Sequence, residues 1–472
     1  MIAYGIDFGT TNTAVVERIA TTHGESTTFC GENRQPFPSL VALHPEKSPL
    51  FGIEVKKRRT QLKKDGYVII SSFKSILDRK EPIKVGNSKM YFPEEVAALF
   101  LNWIKDSVEK QTKVPMDKAV ISIPVDYMPN QRSALRQAAK EAGIAVQSFV
   151  SEPTAAFLQC RETVKELAGA SNVAVFDWGG GTLDISILTL EKGVVHELAV
   201  NGRSLGGNDI DKILAKHIHA RVMKGMDAPR EFSDITSAEN DEIINKCEDA
   251  KKRLSTEDYA RVRLMNYGGR PMTLESIRLE DFQSLIENRI EEAAQFLVQT
   301  AEKAGVSLGQ LDAILMVGGS CEMRPIMWRL EKLGGERVYR PDNVQWVVAG
   351  GAAILAEKKP VYQLQRDFGV LLSDGTVYPV FKAEQKIPCE SEEMSFGVVE
   401  DTTNAVFIFA NDRKEELLRL LVPIKGFTSE GLRLRASIDE DMIAHVKVHS
   451  TYASRMAREA EIHHLGFFYR IQ

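Results

Sequence analysis

The 472-residue chain contains no stretch approaching ~18 uninterrupted apolar residues, the length a helix needs to cross a bilayer. It has no basic segment ahead of its first apolar run: Met1-Ile2-Ala3-Tyr4-Gly5-Ile6 meets Asp7 at once, which is not the pattern of a secretory leader. Cysteine is scarce. Cys30, Cys160, Cys247, Cys321 and Cys389 are scattered, odd in number and form no C-x-x-C pair, which argues against a disulfide framework and for free thiols in a reducing compartment. Net charge is only −5, from 60 basic and 65 acidic residues, so neither nucleic acid nor a membrane is expected as a partner. Low-complexity tails are missing too. These absences predict a cytoplasmic globular protein, in keeping with 43% hydrophobic and 26% charged residues. Domains hold roughly 100–200 residues, so two to four are expected.

What is present is a duplication. An apolar run ends in Asp7-Phe8-Gly9-Thr10-Thr11-Asn12, and a near-copy ends a second run as Asp177-Trp178-Gly179-Gly180-Gly181-Thr182. Each copy is followed by a β-like run, Thr13–Val16 and Leu183–Ile187. Glycine lets a backbone approach a phosphate and adopt dihedrals that other residues avoid. Successive N–H groups in such turns form an anion-binding concavity. Threonine adds hydroxyl donors, and aspartate can orient the waters that Mg²⁺ prefers to keep. One such turn would be an ordinary hairpin; two, each at the end of a buried strand, suggest opposite walls of one phosphate and metal site. A third glycine turn, Gly318-Gly319-Ser320, ends Ala313–Val317 and suits close approach of a sugar or base.

Strand-like and helix-like segments alternate to about residue 358, which predicts an α/β layered domain. Helical spacing runs through Ile210, Ile213, Leu214, Ile218 and Val222, and again from Phe282 to Ala304. After Glu357-Lys358-Lys359-Pro360 no long helical pattern follows. Leu432–Ile438 and Ile443–His449 alternate apolar with polar residues, and two more β-rich runs lie between Phe396 and Phe409, around Glu400–Asn404. The reading is a domain over 1–358, a linker over 359–367 and a small β domain over 368–472, with at most one short helix in Arg455–His464.

The ordered motifs resemble the 70-kDa heat-shock (DnaK-type) chaperone family of the actin/hexokinase-like ATPase superfamily. The two phosphate turns, Val317-Gly318-Gly319-Ser320, Ser151-Glu152-Pro153-Thr154-Ala155-Ala156 and Leu205-Gly206-Gly207-Asn208-Asp209-Ile210-Asp211 carry that resemblance across residues 1–358. It implies a duplicated, ribonuclease H-like ATPase domain followed by a β-sandwich-like domain, with ATP or ADP and Mg²⁺ as ligands. Asp7 and Asp177 match carboxylates that hold the metal through water. Gly9, Thr10, Thr11 and Asn12 match the first phosphate turn, and Gly180, Gly181 and Thr182 the second. Lys74 matches the lysine that positions the attacking water, and Glu152 a carboxylate of the metal and water site; Thr182 belongs with these catalytic positions. Glu248, Lys251, Lys252, Ser255, Gly318, Gly319, Ser320 and Asp342 match the adenosine side, the first four sharing one helical face by their spacing. Pro124 and Arg132 match residues that relay nucleotide state.

Several positions depart from the family pattern. Lys252 replaces an arginine whose planar guanidinium can stack on adenine, and Glu322 stands where another base-flanking arginine is expected. The linker alternates apolar and polar residues instead of running continuously hydrophobic. Asp439–Val446 and Lys386-Ile387-Pro388 resemble fixed points of the peptide-binding sandwich, and the length and layout resemble the short, lidless bacterial subgroup of YegD-like proteins. The resemblance implies an ATP-hydrolysing chaperone that couples nucleotide state to binding of extended or unfolded polypeptide, with J-domain and nucleotide-exchange co-chaperones as partners. A nucleotide-switched adaptor for one dedicated partner is an alternative. Less favoured are a small-molecule kinase and an actin-like filament of the same superfamily.

Overall fold

The computed structural model describes residues 2–470 apart from 22–23, 88, 126, 164–166, 168, 225, 227, 359–360, 399–402, 426–429, 453–455 and 464. Its chain clusters into two compact units. The first comprises Met1–Val125, Leu135–Glu191 and His196–Lys358; the second comprises Asp126–Ala134, Lys192–Val195 and Lys359–Gln472.

The first unit contains the same sheet twice. In one copy the strand order is Ala145–Ser151, Lys118–Ile123, Ile2–Phe8, Asn12–Thr21, Gly24–Cys30. In the other it is Val338–Tyr339, Ala313–Val317, Asn172–Trp178, Leu183–Glu191, Val194–Arg203. Each central strand, Ile2–Phe8 or Asn172–Trp178, pairs antiparallel with the strand that follows it and parallel with a distant one. The central strands are near-continuous apolar runs because both of their faces are covered. Each carries its aspartate at the C-terminal end, where ligands gather in open α/β sheets. The sequence duplication is therefore also a duplication of topology.

Close helix packing explains several small residues of the first unit. A side chain on Gly5 would collide with the Ala349 carbonyl oxygen, so the helix Val347–Lys358 lies directly on the strand Ile2–Phe8. A side chain on Gly351 would collide with the Ala155 carbonyl, so that helix also lies backbone-to-backbone against Glu152–Thr163. Glu152 is thereby fixed at a helix start beside the sheet. The expected helices appear as Gly207–Met223 and Leu279–Lys303, and their apolar faces join one core with Phe176, Trp178 and Ile185.

The second unit is built of strands. Val377–Phe381, Phe368–Leu371, Asn404–Asn411 and Glu416–Pro423 form one antiparallel sheet in that order. Cys389–Glu390 and Met394–Gly397 pair with Gly431–Ile438, which pairs in turn with Ala444–Ser450 and then Arg458–Ile462. Phe368, Phe407 and Phe409 from the first sheet and Leu434, Ile438, Val446 and Val448 from the second share one apolar cluster. The stretch allotted to a short helix holds the strand Arg458–Ile462, a correction to the sequence reading; residues 455 and 464 lie outside the described set. Arg458-Glu459-Ala460-Glu461 is helical by propensity, yet only Ile462 of this strand is buried, and cross-strand pairing with Ala444–Ser450 decides its form. Residues 359–360, where the linker reading begins, and 400–402 of the turn Glu400–Asn404 are also outside that set. Tyr362–Leu364 is itself a strand, paired antiparallel with Phe467–Arg470.

Candidate functional site

The two duplicated turns meet. Asp7 lies at the end of its strand, level with Ser122 on the parallel neighbour, and Ser122 Oγ donates to Asp7 Oδ1 at 2.8 Å. Gly9 N–H closes back on the Asp7 carbonyl at 3.1 Å. Ser39 then clamps the first turn: its Oγ donates to the Gly9 carbonyl at 2.7 Å and its N–H to the Thr11 carbonyl at 2.9 Å. Thr10, Thr11 and Asn12 are exposed beyond it. The second turn is closed by Gly179 N–H to the Thr182 carbonyl at 2.9 Å, with Thr182 exposed. A Cβ on Gly180 would lie 3.0 Å from Thr11 Oγ1, so the second turn touches the first, whereas a Cβ on Gly181 would meet open space.

The third glycine turn closes on the same place. Gly318 has φ +83°, and a side chain there would collide with Asp177 Oδ1. Both facts require glycine. Ser320 Oγ donates to the Gly179 carbonyl at 2.8 Å, and Gly319 leads into the short turn that carries it. The Gly206–Gly207 turn adds two stitches: Gly207 N–H reaches the Gly179 carbonyl at 3.0 Å, and Asn208 N–H the Gly180 carbonyl at 2.8 Å. The second glycine turn is thus braced by the loop that starts the helix Gly207–Met223.

Electrostatics single out the ends of the two central strands. Lys74, on a short turn of helix and almost fully buried, places Nζ 2.8 Å from Glu152 Oε1. Burial pushes the Asp7 carboxyl up to about 6; repulsion from Glu152 adds to this, while Lys74 and the Ser122 hydrogen bond pull it down. Asp177 is pushed well above the carboxylate range by burial, then by repulsion from Glu152, Asp184 and Asp7, with Lys74 opposing. Asp184 sits directly opposite Asp177 across the antiparallel pair, an arrangement of like charges that costs stability unless a cation relieves it. Asp7, Asp177 and Glu152 therefore share one lysine, with Asp184 adding a fourth negative charge beside Asp177. That all-oxygen set fits a hard divalent cation. Among the described residues no group of three or more His, Cys, Asp or Glu side chains is placed to hold a metal ion directly.

The positions expected on the adenosine side divide between two places. Lys251 turns inward: its Nζ lies 2.8 Å from Asp211 Oδ1 and donates to the Gly207 carbonyl at 3.0 Å, below the second glycine turn. Glu248 and Lys252 face a cleft of about 780 Å³ between the helices Gly52–Lys64 and Ser237–Leu254. There Glu248 bonds Lys252 and Lys56, both at 2.8 Å. Burial alone would raise Glu248, but Lys56 and Lys252 hold it down at about 2. Ser255 caps the end of the second of these helices, half-buried. Asp342 is exposed in the turn before Val344–Trp346. Glu322 is engaged by Gln345 Nε2 at 2.8 Å.

Sequence reasoning gave no role to Ser39, Ser122, Asp184 or Asp211. Ser122 is found only through strand register, which also sets Asp184 opposite Asp177. Ser39 lies 28 residues beyond the turn that it clamps and has no local signature. Asp184 lies in the run Leu183–Ile187 that follows the second turn and Asp211 inside the motif Leu205–Asp211, so both stood within stretches the sequence singles out.

The first unit is thus a duplicated α/β sheet with a glycine turn and a carboxylate at the end of each central strand, the architecture expected of the actin/hexokinase-like ATPase domain that the Hsp70 family implies. A family model described as Hsp70 protein matches residues 3–408, and the chain belongs to the Hsp70 family. It is similar to the chaperone protein DnaK of Ureaplasma urealyticum serovar 10, with 31% identity over 365 residues, 75% of this chain and 58% of that protein. It is also similar to the DnaK of Metamycoplasma hominis, with 28% identity over 449 residues, 91% of this chain and 72% of that protein, and to that of Mycoplasmopsis pulmonis, 30% over 366 residues. The chain spans 58% of the length of the Ureaplasma relative.

Proposed function

We propose that this chain is an Mg²⁺-dependent, ATP-hydrolysing chaperone of the Hsp70 type. The observation that carries the reading is the meeting of the two turns at Gly180 and Thr11, with Asp7, Asp177, Glu152 and Lys74 sharing one electrostatic field behind them. The N–H groups and hydroxyls of Gly9–Asn12 and Gly180–Thr182 would grip the phosphates from two sides, leaving the third glycine turn, Gly318–Ser320, to the nucleoside. Glu248, Lys251, Lys252, Ser255 and Asp342 are assigned to the adenosine end by family resemblance. Asp7 and Asp177 would hold the metal through its water shell.

Bound Mg²⁺ would neutralise charge on the phosphate oxygens as the terminal phosphoryl group leaves. Phosphoryl transfer asks little covalent chemistry of the protein; positioning and charge dominate. Lys74, fixed by Glu152, is suited to orient the attacking water, and Glu152 can accept a hydrogen bond from that water. Ser122, by donating to Asp7 Oδ1, would help orient the carboxylate that is proposed to hold the metal through water.

Residues 1–358 are read as the nucleotide-binding part, 359–367 as the connecting stretch and 368–472 as a β-sandwich-like peptide-binding part. Support for the last comes from a run of aromatic rings. Phe381, Phe368, Phe409, Phe407 and Phe396 follow one another at centroid distances of 5.4–6.1 Å and end on Tyr378, which is half-exposed. An apolar core that opens at a strand end is a natural place for an extended apolar peptide, which would gain affinity from backbone hydrogen bonds. J-domain and nucleotide-exchange co-chaperones and a cytoplasmic location follow from the same resemblance. Among the described residues no helix is long and apolar enough to cross a membrane. The test is phosphate release from ATP, with Mg²⁺ or with EDTA, across a panel of extended apolar peptides. The reading expects Mg²⁺-dependent release that peptide stimulates. Hydrolysis indifferent to every peptide contradicts the chaperone half, and no hydrolysis contradicts the whole.

A further inference from the structure

The strands Tyr259–Tyr267 and Arg270–Arg278 form a separate two-stranded sheet in the first unit. One face is core: Ala260, Val262, Leu264, Tyr267, Thr273 and Ile277 are buried. The other face is solvent-exposed and divides into two halves. Near the connecting turn Met265 stands opposite Met272, with Leu274 beside them, 45%, 50% and 54% exposed. Further along, Arg263 is opposite Leu274, Arg261 opposite Ser276 and Arg278 opposite Tyr259. Arg261 also lies over the Tyr259 ring at 5.9 Å.

No carboxylate stands on this face, and three acids beside it are engaged by other groups. Glu275 pairs with Arg221 at 3.0 Å, Asp258 with Arg324 at 3.0 Å, and Glu242 accepts from the Met265 N–H at 2.6 Å. Two facing methionines and a leucine left in water are not needed by the core, and methionine adapts readily to a partner's shape. Three arginines in register offer planar forks that match carboxylates.

We propose that this face docks a segment of another protein in which apolar side chains are followed by carboxylates. The apolar half would receive the first part and the arginine half the second. A bare polyanion would leave Met265, Met272 and Leu274 uncovered, so the mixed chemistry of the face favours an acidic, apolar polypeptide over nucleic acid. From Tyr259 to Met265 the strand runs about 20 Å, the span of about six extended residues.

The test is fluorescence anisotropy with the full chain and a fluorescein-labelled peptide of three leucines followed by three glutamates. Three controls accompany it: the leucine–lysine counterpart, a glycine–glutamate counterpart and a single-stranded oligonucleotide. The leucine–glutamate peptide should bind best, and added salt should weaken it. Arg261→Glu with Arg263→Glu, and separately Met265→Ser with Met272→Ser, should each lower its affinity by about tenfold or more. All four side chains are exposed, so thermal melting and ATP hydrolysis should be unchanged in both variants. The proposal is overturned by equal binding of the lysine counterpart, by wild-type affinity in either variant, by tighter binding of the oligonucleotide, or by no binding of the leucine–glutamate peptide up to about 1 mM.

Discussion

Replacing Lys74 by alanine removes a cation shared by Asp7, Asp177 and Glu152. At the 2.8 Å separation from Glu152 the gross Coulomb attraction, with an effective dielectric constant near 20, is about 6 kcal/mol before desolvation is subtracted. A positioned catalytic group typically contributes 10²-fold or more, about 2.7 kcal/mol for each hundredfold, so the geometry can supply the effect with less than half of that gross attraction. Lys74→Ala should therefore slow single-turnover ATP hydrolysis by roughly 10²-fold. Nucleotide binding should survive, since the glycine turns and Ser320 are untouched. Asp7, already pushed up to about 6, loses a charge that pulls it down, so the Mg²⁺ concentration needed for half-maximal rate should rise and should fall back as pH is raised. Glu152 remains 20% exposed and can recruit water, which limits the loss of stability. Lys74→Met, closer in volume, separates packing from charge and should be equally slow. The assay is rapid-quench phosphate formation with excess enzyme, beside a filter-binding measurement of ATP. A wild-type rate in Lys74→Ala, or lost binding with an unchanged rate for the bound fraction, would refute the role.

Other expectations follow from separate contacts. Gly318→Ala places a side chain against Asp177 Oδ1 at a positive φ, and should lower both ATP affinity and stability, the latter by about 1–3 kcal/mol, read by calorimetry and denaturation. Lys56→Ala breaks a partly exposed bridge to Glu248; the pair is worth about 0.5–1 kcal/mol, so release of labelled ADP should quicken about two- to fivefold in stopped flow. Burial alone would raise Glu239, but hydrogen bonds from Arg230, Thr236 and Gly268 bring it from 4.5 to about 2. Because its folded value lies below its ordinary one, its stabilisation is complete above pH ~4.5 and is lost as pH falls toward 2. Glu239→Gln should flatten that part of the stability–pH curve, and an unchanged curve would contradict the assignment.

The placement of the candidate site was legible where it is local. Asp7 with Gly9–Asn12, and Asp177 with Gly180–Thr182, are contiguous strand-end turns, so residue type and order reveal them. Their partners are not contiguous. Ser122 meets Asp7, and Asp184 meets Asp177, only because strand register aligns them. Helical spacing put Lys251 on one face with Glu248 and Lys252, but it does not say which way a long side chain turns. The buried Asp211 carboxylate draws Lys251 inward, while Lys56 holds Glu248 outward. Arg458–Ile462 escaped for a related reason: its residues favour a helix locally, and pairing with Ala444–Ser450 overrides them. The exposed face of the Tyr259–Arg278 hairpin left no mark, since arginine and methionine at alternate positions look like any solvated strand.

The central claim is that the two duplicated turns serve one metal-bound nucleotide. Rates of Mg²⁺-dependent ATP hydrolysis by Asp7→Asn, Asp177→Asn and the double variant test it directly. If both carboxylates act through one metal, each single change should cost about 10²-fold and the double should cost little more, far short of the product of the two. A double variant as slow as that product, or a single variant as fast as the wild type, would contradict the shared site.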